Sequence, residues 1–162
     1  MAVGNSYNGY SFKERFAKHK ELLRRLASGE QPPASGPCAL CGDPEVEVEY
    51  HDEDYSFPYR WSEPAVYVLC RHCHRHKLHM KFARPVQWQA YLAHVRRGGY
   101  ARDLKDPLIK KEFEACCKAI EKGQTYVLGK LRPYTRKIGE EWFAGLRLDR
   151  ESLTDPSIPP LP

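Results

Sequence analysis

The spacing of apolar and polar residues changes along the chain, and the first stretch has a helical period. From residue 11, apolar side chains recur at steps of four and three, which predicts an amphipathic helix that ends near Gly29. Ser11 and Glu14 have the spacing of a capping box at its start. We expect this helix to bury the face formed by Phe12, Phe16, His19, Leu23 and Leu26.

A period of two follows in the middle of the chain. Between residues 45 and 50, three apolar side chains alternate with three glutamates, which predicts a half-buried strand. Three polar residues lie at the end of that strand, namely His51, Asp52 and Asp54. A loop with two prolines leads to a second predicted strand over 65–69, and the segment from His74 has no helix breaker and is predicted to be helical.

The third part returns to helical spacing. Pro85 fits the first turn of a helix that Gly98 and Gly99 close, and Asp106 followed by proline marks the start of another helix that runs to Gly123. Their predicted buried faces are Trp88, Tyr91, Leu92 and Val95 in the first, and Ile109, Phe113, Cys116 and Ile120 in the second. A last short helix is predicted over 140–148, and the structure of 124–138 is ambiguous.

Four of the six cysteines form two Cys-x-x-Cys pairs, Cys38 with Cys41 and Cys70 with Cys73. Two such pairs complete a closed tetrahedral zinc site, so we predict one structural zinc. The alternatives are two disulfides or four unrelated buried thiols. The N-terminus lacks the apolar run of a signal peptide, so we expect a cytoplasmic protein whose thiols stay reduced. Of the adjacent pair Cys116 and Cys117, we expect one thiol to be buried and one to flank it.

Charge is distributed unevenly along the chain. Lysine and arginine total 26 against 21 acidic residues, residues 43–54 are acidic, and the section after them is basic. This asymmetry suits a polyanion beside a carboxylate-rich site, although mild basicity is also common in proteins that bind none. The basic residues predicted to contact nucleic acid are Arg71, Arg75, Lys77, Lys81 and Arg84. No apolar run approaches the roughly 20 residues of a membrane span, so we expect no membrane association.

The predicted order of elements from 38 to 79 is Cys-x-x-Cys, strand, loop, strand, Cys-x-x-Cys and helix. Together with the segments HDEDYS at 51–56 and LCRHCH at 69–74, it resembles the HNH family of metal-dependent nucleases. The most similar members are phage and bacterial proteins with two Cys-x-x-Cys pairs. The resemblance covers about a quarter of the chain.

The resemblance implies an α+β fold, with a small zinc-stabilised ββα-metal core and flanking α-helices. It also implies an endonuclease that hydrolyses phosphodiester bonds in DNA with a catalytic magnesium, manganese or other divalent cation. When the two segments are aligned residue by residue with the family motif, which we call the direct alignment, His51 and His74 hold that cation and Asp54 is a further candidate ligand. Asp52 is then the general base. The chain departs from the family pattern at Ala65, where an asparagine is usual, and at Asp52, because a carboxylate is a weaker base than imidazole.

A register shifted by one residue changes these roles. Tyr50 then occupies the first ligand position and His51 is itself the base. The cation would be held by His74 with Asp52 or Asp54, plus phosphate oxygens of the substrate. The other histidines of this segment, His72, His76 and His79, are expected at the surface.

The resulting domain organisation has five parts. Residues 1–10 are a flexible tail, 11–37 an N-terminal helix and linker, 38–82 the zinc-bound HNH-like core, 83–148 a helical region and 149–162 a proline-rich tail. Two other functions remain open, a catalytically degenerate zinc module that binds nucleic acid and a zinc fold that serves protein contact. A homodimer would allow symmetric cutting of both strands, but the sequence leaves the oligomeric state open.

Overall fold

The computed structural model describes residues 7–63 and 65–131 of the chain. The described residues form helices and one two-stranded antiparallel sheet, which confirms the α+β prediction at that level. The elements in chain order are α1 (Phe12–Ser28), β1 (Val48–Asp52), β2 (Val66–Cys70), a π-helical segment (Cys73–Leu78), α2 (Met80–Ala83), α3 (Pro85–Arg96), a 3₁₀ turn (Ala101–Lys105) and α4 (Pro107–Glu121). No helix in this described part of the chain is long and apolar enough to cross a membrane.

The two predicted strands exist, each slightly later in the chain than expected. β1 and β2 pair antiparallel, and their register runs from Val48 opposite Cys70 to Asp52 opposite Val66. His51 therefore lies within β1, opposite Tyr67, and not beyond the end of the strand. Because neighbouring strand residues point to opposite faces, this position separates the side chains of His51 and Asp52.

The helix that follows β2 starts earlier than predicted and is not a uniform α-helix. Helical backbone begins directly after Cys70, and the segment Cys73–Leu78 has the wider π-helical turn before α2 begins at Met80. A π-helical turn brings residues five apart into line, whereas an α-helix aligns residues three and four apart. The spacing of side chains in this segment therefore differs from that assumed in the sequence prediction.

Helix α1 has the predicted ends but turns a different face inward. The capping box of Ser11 and Glu14 is present, and Gly29 ends the helix in the left-handed conformation at φ 78°. The predicted apolar face was wrong, because most of it is solvent-exposed: Phe12 is 62%, Phe16 48% and Leu23 52% exposed. The buried residues are instead Lys18 and Leu22.

Helices α3 and α4 follow the predicted pattern. Proline occupies the first turn of each, and Asp106 caps α4 by accepting a hydrogen bond from the Leu108 amide. Trp88 is buried in α3, as expected of a core residue. Cys116 and Cys117 are both buried, which corrects the expectation that one of them would flank the core.

The main core surrounds the four paired cysteines, where both Cys-x-x-Cys turns, β2 and α3 meet. Its buried members include Leu40, Tyr67, Leu69, Leu78, Trp88, Tyr91, Val95, Tyr100 and Ala101. Tyr7 is also buried, with its ring against those of His51 and His79, which corrects the prediction of a flexible tail at this residue. The helix predicted over 140–148 and the tail predicted over 149–162 lie outside the described residues.

Candidate functional site

The four cysteines of the two Cys-x-x-Cys pairs meet at one point. Their sulfur atoms all lie within 4.8 Å of one another, and all four residues are buried. All six cysteines are free, so neither pair forms a disulfide. The turn of the first pair closes with a hydrogen bond from the Gly42 amide to the Cys38 carbonyl at 2.7 Å, and Gly42 has a φ of 71° that suits glycine.

This cluster fits a tetrahedral metal ion such as zinc. Zinc–sulfur bonds of about 2.3 Å place tetrahedral sulfurs about 3.8 Å apart, which the observed spacing permits. Soft thiolate ligands also favour zinc over hard cations such as magnesium. Within residues 7–63 and 65–131, no other group of three or more histidine, cysteine or acidic side chains converges in this way.

Residues of neighbouring elements support the cysteine cluster. The Ala39 amide donates to the Val68 carbonyl at 2.9 Å, which ties the first Cys-x-x-Cys turn to β2. The Tyr91 hydroxyl on α3 lies 2.7 Å from Cys73 Sγ, and both residues are buried. A hydrogen bond of this kind orients a metal ligand and stabilises its thiolate form.

A second group, which we call the histidine cluster, is formed by His51 from β1 with His74 and His79 from the helical segment. The ring centroids of His51 and His74 are 4.8 Å apart, those of His74 and His79 5.3 Å, and those of His51 and His79 6.2 Å. The structure thus brings together the two histidines that the sequence singled out. It adds His79, which is exposed as expected and lies beside His74 because the π-helical turn aligns residues five apart.

Among the described residues, the hydrogen-bond partners of His51 all lie on one ring nitrogen, Nε2. Its Nε2 lies 3.1 Å from the Tyr7 hydroxyl and 3.2 Å from Glu53 Oε1, and these contacts leave Nδ1 uninvolved. Burial lowers the pKa of His51 to about 4, against the opposing effect of Glu53. The imidazole is therefore neutral at pH 7 and has a lone pair for a proton or a cation.

Glu53 is a partly buried residue of this site that the sequence analysis did not identify. Its carboxylate contacts His51, accepts hydrogen bonds from Tyr7 and Tyr67, and pairs with Lys81 Nζ at 2.9 Å. Burial opposes ionisation of this carboxyl, but the hydrogen bond with His51 and the charge of Lys81 hold its pKa well below its usual range. Glu53 lies among several acidic residues, so sequence position alone did not distinguish it.

His74 has a similar carboxylate partner. Its Nδ1 lies 2.7 Å from Glu49 Oε1, and Arg75 donates to the same carboxylate at 3.2 Å. A carboxylate on one nitrogen fixes the ring and makes the other nitrogen a better ligand, which is common for metal-binding histidines. Both His51 and His74 therefore have one nitrogen restrained by a carboxylate.

Asp52 and Asp54 have partners outside the histidine cluster. Asp52 Oδ1 lies 2.7 Å from the Nζ of the buried Lys18 on α1. Asp54 Oδ1 accepts hydrogen bonds from the Tyr10 hydroxyl and from the Ser56 amide and hydroxyl. Their predicted roles as base and ligand stay predictions, without support from these contacts.

The basic residues predicted to contact nucleic acid have different environments. Arg71, Arg75 and Arg84 are exposed. Lys77 is half-buried, with Nζ 5.5 Å from the Tyr91 ring centroid and 5.4 Å from that of Phe113. Lys81 corrects the prediction of a surface contact, because it is buried and its ammonium binds both Glu53 oxygens.

Comparison of the chain with protein-family models, with curated proteins and with solved structures finds no match. A functional assignment for this protein therefore depends on the geometry of the cysteine and histidine clusters and on the sequence pattern that led to them.

Proposed function

We propose that this protein is an HNH-type endonuclease that hydrolyses phosphodiester bonds in DNA, with a structural zinc in the cysteine cluster and a catalytic divalent cation at the histidine cluster. The observation that supports it best is the 4.8 Å separation of the His51 and His74 ring centroids. The two residues lie in the two separate segments, 51–56 and 69–74, that resemble the HNH family. The fixed orientation of each ring by a carboxylate adds to this support.

His74 is the cation ligand in both possible alignments, and Glu49 orients it through Nδ1. The ring of His79 stacks beside that of His74, with centroids 5.3 Å apart, and adds a second imidazole to this side of the proposed site. A divalent cation bound there would stabilise negative charge on the phosphate and on the leaving oxygen. Because imidazole ligands suit transition metals better than magnesium, we expect manganese to support more activity than magnesium.

We assign the base to His51, which corresponds to the shifted register. Its neutral ring can accept a proton from the attacking water through Nδ1, while Glu53 and Tyr7 hold Nε2. The carboxylate of Glu53 is ionised and would stabilise the positive charge that the ring acquires. Asp52, the base in the direct alignment, forms an ion pair with Lys18 instead.

A plasmid-cleavage assay tests this proposal. Zinc-loaded protein is incubated with supercoiled DNA and manganese, magnesium or no added cation, and zinc content and thermal stability are measured in parallel. We expect His51→Ala and His74→Ala to lower cleavage by about 100-fold or more at unchanged zinc content. The matched control is His76→Ala, because His76 is exposed on the same helical segment and lies outside the histidine cluster.

Two results would contradict the proposal. One is wild-type protein that is folded and zinc-loaded but cuts DNA with no divalent cation, and the other is undiminished cutting by both alanine variants. Asp52→Asn separates the two registers, since it removes the base of the direct alignment and leaves His51 in place. We expect this variant to keep its cleavage rate per folded molecule within a few-fold of wild type.

The second candidate function is a nucleic-acid-binding module that has lost the chemistry. It is favoured by the contacts of Asp52 and Asp54, whose carboxylates bind Lys18 and the Tyr10 and Ser56 side chains. Such a module would bind DNA without cutting it, and its affinity would fall steeply with salt because phosphate contacts release counterions. Weak salt dependence would instead favour the third candidate, a zinc fold that binds protein.

A further inference from the structure

The loop between β1 and β2 carries a row of aromatic side chains at alternate positions. We call Phe57, Tyr59 and Trp61 the aromatic loop. Phe57 is 84% exposed, and the other two rings are half-buried. Neighbouring ring centroids are 5.5 Å apart between Phe57 and Tyr59 and 6.0 Å apart between Tyr59 and Trp61. The three rings therefore form a row of edge-to-face contacts that is open to solvent at Phe57.

Positive charge accompanies these rings. Arg60 lies between Tyr59 and Trp61 in the chain, and its side chain is 73% exposed with Nε 3.8 Å from Asp54. The guanidinium carbon of Arg25 lies 4.9 Å from the Trp61 ring centroid, and Lys18 Nζ lies 5.1 Å from it. These contacts attach Trp61 to α1, while Phe57 at the other end of the row stays exposed.

Exposed aromatic rings beside arginine are the features that single-stranded nucleic acids recognise. Each base offers a flat π-face that stacks on an aromatic ring, and each phosphate is attracted by a nearby cation. Paired bases in a duplex are already stacked on one another and present only their edges in the grooves. An exposed phenylalanine can therefore stack on an unpaired nucleotide directly, whereas contact with the face of a paired base first requires the duplex to be unstacked there.

The aromatic loop also continues directly from the proposed active site. Glu53, which holds His51, lies four residues before Phe57, and its amide donates to the Ala65 carbonyl at the base of the loop. A single DNA strand bound along the aromatic loop would therefore end close to the histidine cluster.

We propose that the aromatic loop binds unpaired nucleotides of single-stranded DNA, with Phe57 and Tyr59 stacking on bases and Arg60 contacting phosphate. This inference rests on the proposed DNA substrate and narrows it to DNA that contains an unpaired segment. It makes the protein a nuclease that prefers single strands or the junctions between single and double strands.

A binding assay without catalysis tests this inference. The probe is a labelled oligothymidylate of about 20 nucleotides, longer than the roughly 4–16 nucleotides that compact single-strand sites cover. Fluorescence anisotropy is measured with zinc-loaded protein and no added divalent cation, and a duplex of equal length serves as the comparison probe. We expect Phe57→Ala to weaken binding of the single strand about tenfold and binding of the duplex less than twofold.

Phe12→Ala is the matched control, because Phe12 is also exposed and has an arginine 6.0 Å from its ring, but lies on α1. This variant should bind the single strand as wild type does. Arg60→Gln should reduce the slope of log affinity against log salt by about 0.7, whereas Phe57→Ala should leave the slope unchanged.

The inference is overturned if Phe57→Ala and Phe12→Ala have equal effects, if the duplex binds as tightly as the single strand, or if neither probe binds. A protein that binds the single strand through Phe57 but cuts no DNA would retain this inference and refute the proposed nuclease. Cleavage that requires His51 and His74 but does not depend on Phe57 would support the proposed nuclease and refute this inference.

Discussion

At the scale of single residues, Lys18 of α1 and Asp52 of β1 form a buried ion pair. Lys18 is fully buried, its Nζ lies 2.7 Å from Asp52 Oδ1, and it also donates to the Asp54 carbonyl at 2.6 Å. A buried ammonium needs such partners because desolvation of a charge is costly. The contact fixes which face of α1 turns inward and leaves Phe12 and Phe16 exposed.

Removing this lysine should destabilise the fold. In Lys18→Met the Asp52 carboxylate stays buried without its partner, and we expect a loss of about 3 kcal/mol in the free energy of unfolding, measured by denaturant titration. Lys20→Met, at an exposed position two residues on, should change it by less than about 0.5 kcal/mol. Adding Asp52→Asn to Lys18→Met should recover part of the loss, and an additive double variant would contradict this account.

The buried His51 predicts a pH dependence of stability. Burial lowers its pKa to about 4, whereas in the unfolded chain it titrates near 6.5. Between these values the unfolded chain binds a proton that the folded protein does not, so stability falls as pH drops from about 6.5 to about 4 and is unaffected by this group above 6.5.

The full effect of His51 is on the order of 3 kcal/mol. We expect the free energy of unfolding of wild type to fall more steeply in this window than that of His51→Gln. The free energies of unfolding are measured by denaturant titration at a series of pH values. The difference between the two slopes against pH should approach the value that corresponds to one bound proton. Equal slopes would show that His51 has the same pKa in the folded protein as in the unfolded chain.

At the scale of elements, local signals in the sequence predicted the helix ends well. The capping box of α1 and the aspartate and proline at the start of α4 act within one turn, so they are readable without tertiary contacts. The π-helical turn over Cys73–Leu78 has no such signal. It places His79 beside His74, and for this reason the sequence identified two members of the histidine cluster but not the third.

Helix α3 should contribute to metal retention through Tyr91. Tyr91→Phe removes the hydroxyl that lies 2.7 Å from Cys73 Sγ and changes little else in the core. We expect zinc affinity to fall about 10- to 100-fold, measured by competition with a chromogenic chelator. Tyr126→Phe, at an exposed position after α4, is the control. Equal affinities of the two variants would show that the hydroxyl has no role in holding the metal.

At the scale of the whole molecule, the cysteine cluster joins parts of the chain that are about 30 residues apart in sequence. Most of the buried side chains of the main core surround it. A metal ion that binds only the folded chain adds its binding energy to folding stability. We therefore expect one zinc per chain, and loss of the cooperative unfolding transition after treatment with a strong chelator.

Thiol reactivity provides an independent measurement of the same event. In the zinc-loaded protein, four thiols are metal ligands and the other two are buried, and burial raises the pKa of Cys117 to about 11. All six should therefore react slowly with iodoacetamide at neutral pH, and all six quickly once zinc is removed. Two fast thiols in the loaded protein would show that Cys116 and Cys117 are accessible.

The sequence by itself determined the features that depend on short-range chemistry. These are the helix caps, the two strands and the two Cys-x-x-Cys pairs, because residue type and spacing specify each of them locally. Only the tertiary structure decided which carboxylate pairs with which lysine. Asp52, Glu53 and Asp54 are neighbours of one chemical type, and the positions of Lys18 and Lys81 in space, which no local pattern encodes, direct Asp52 to α1 and Glu53 to His51.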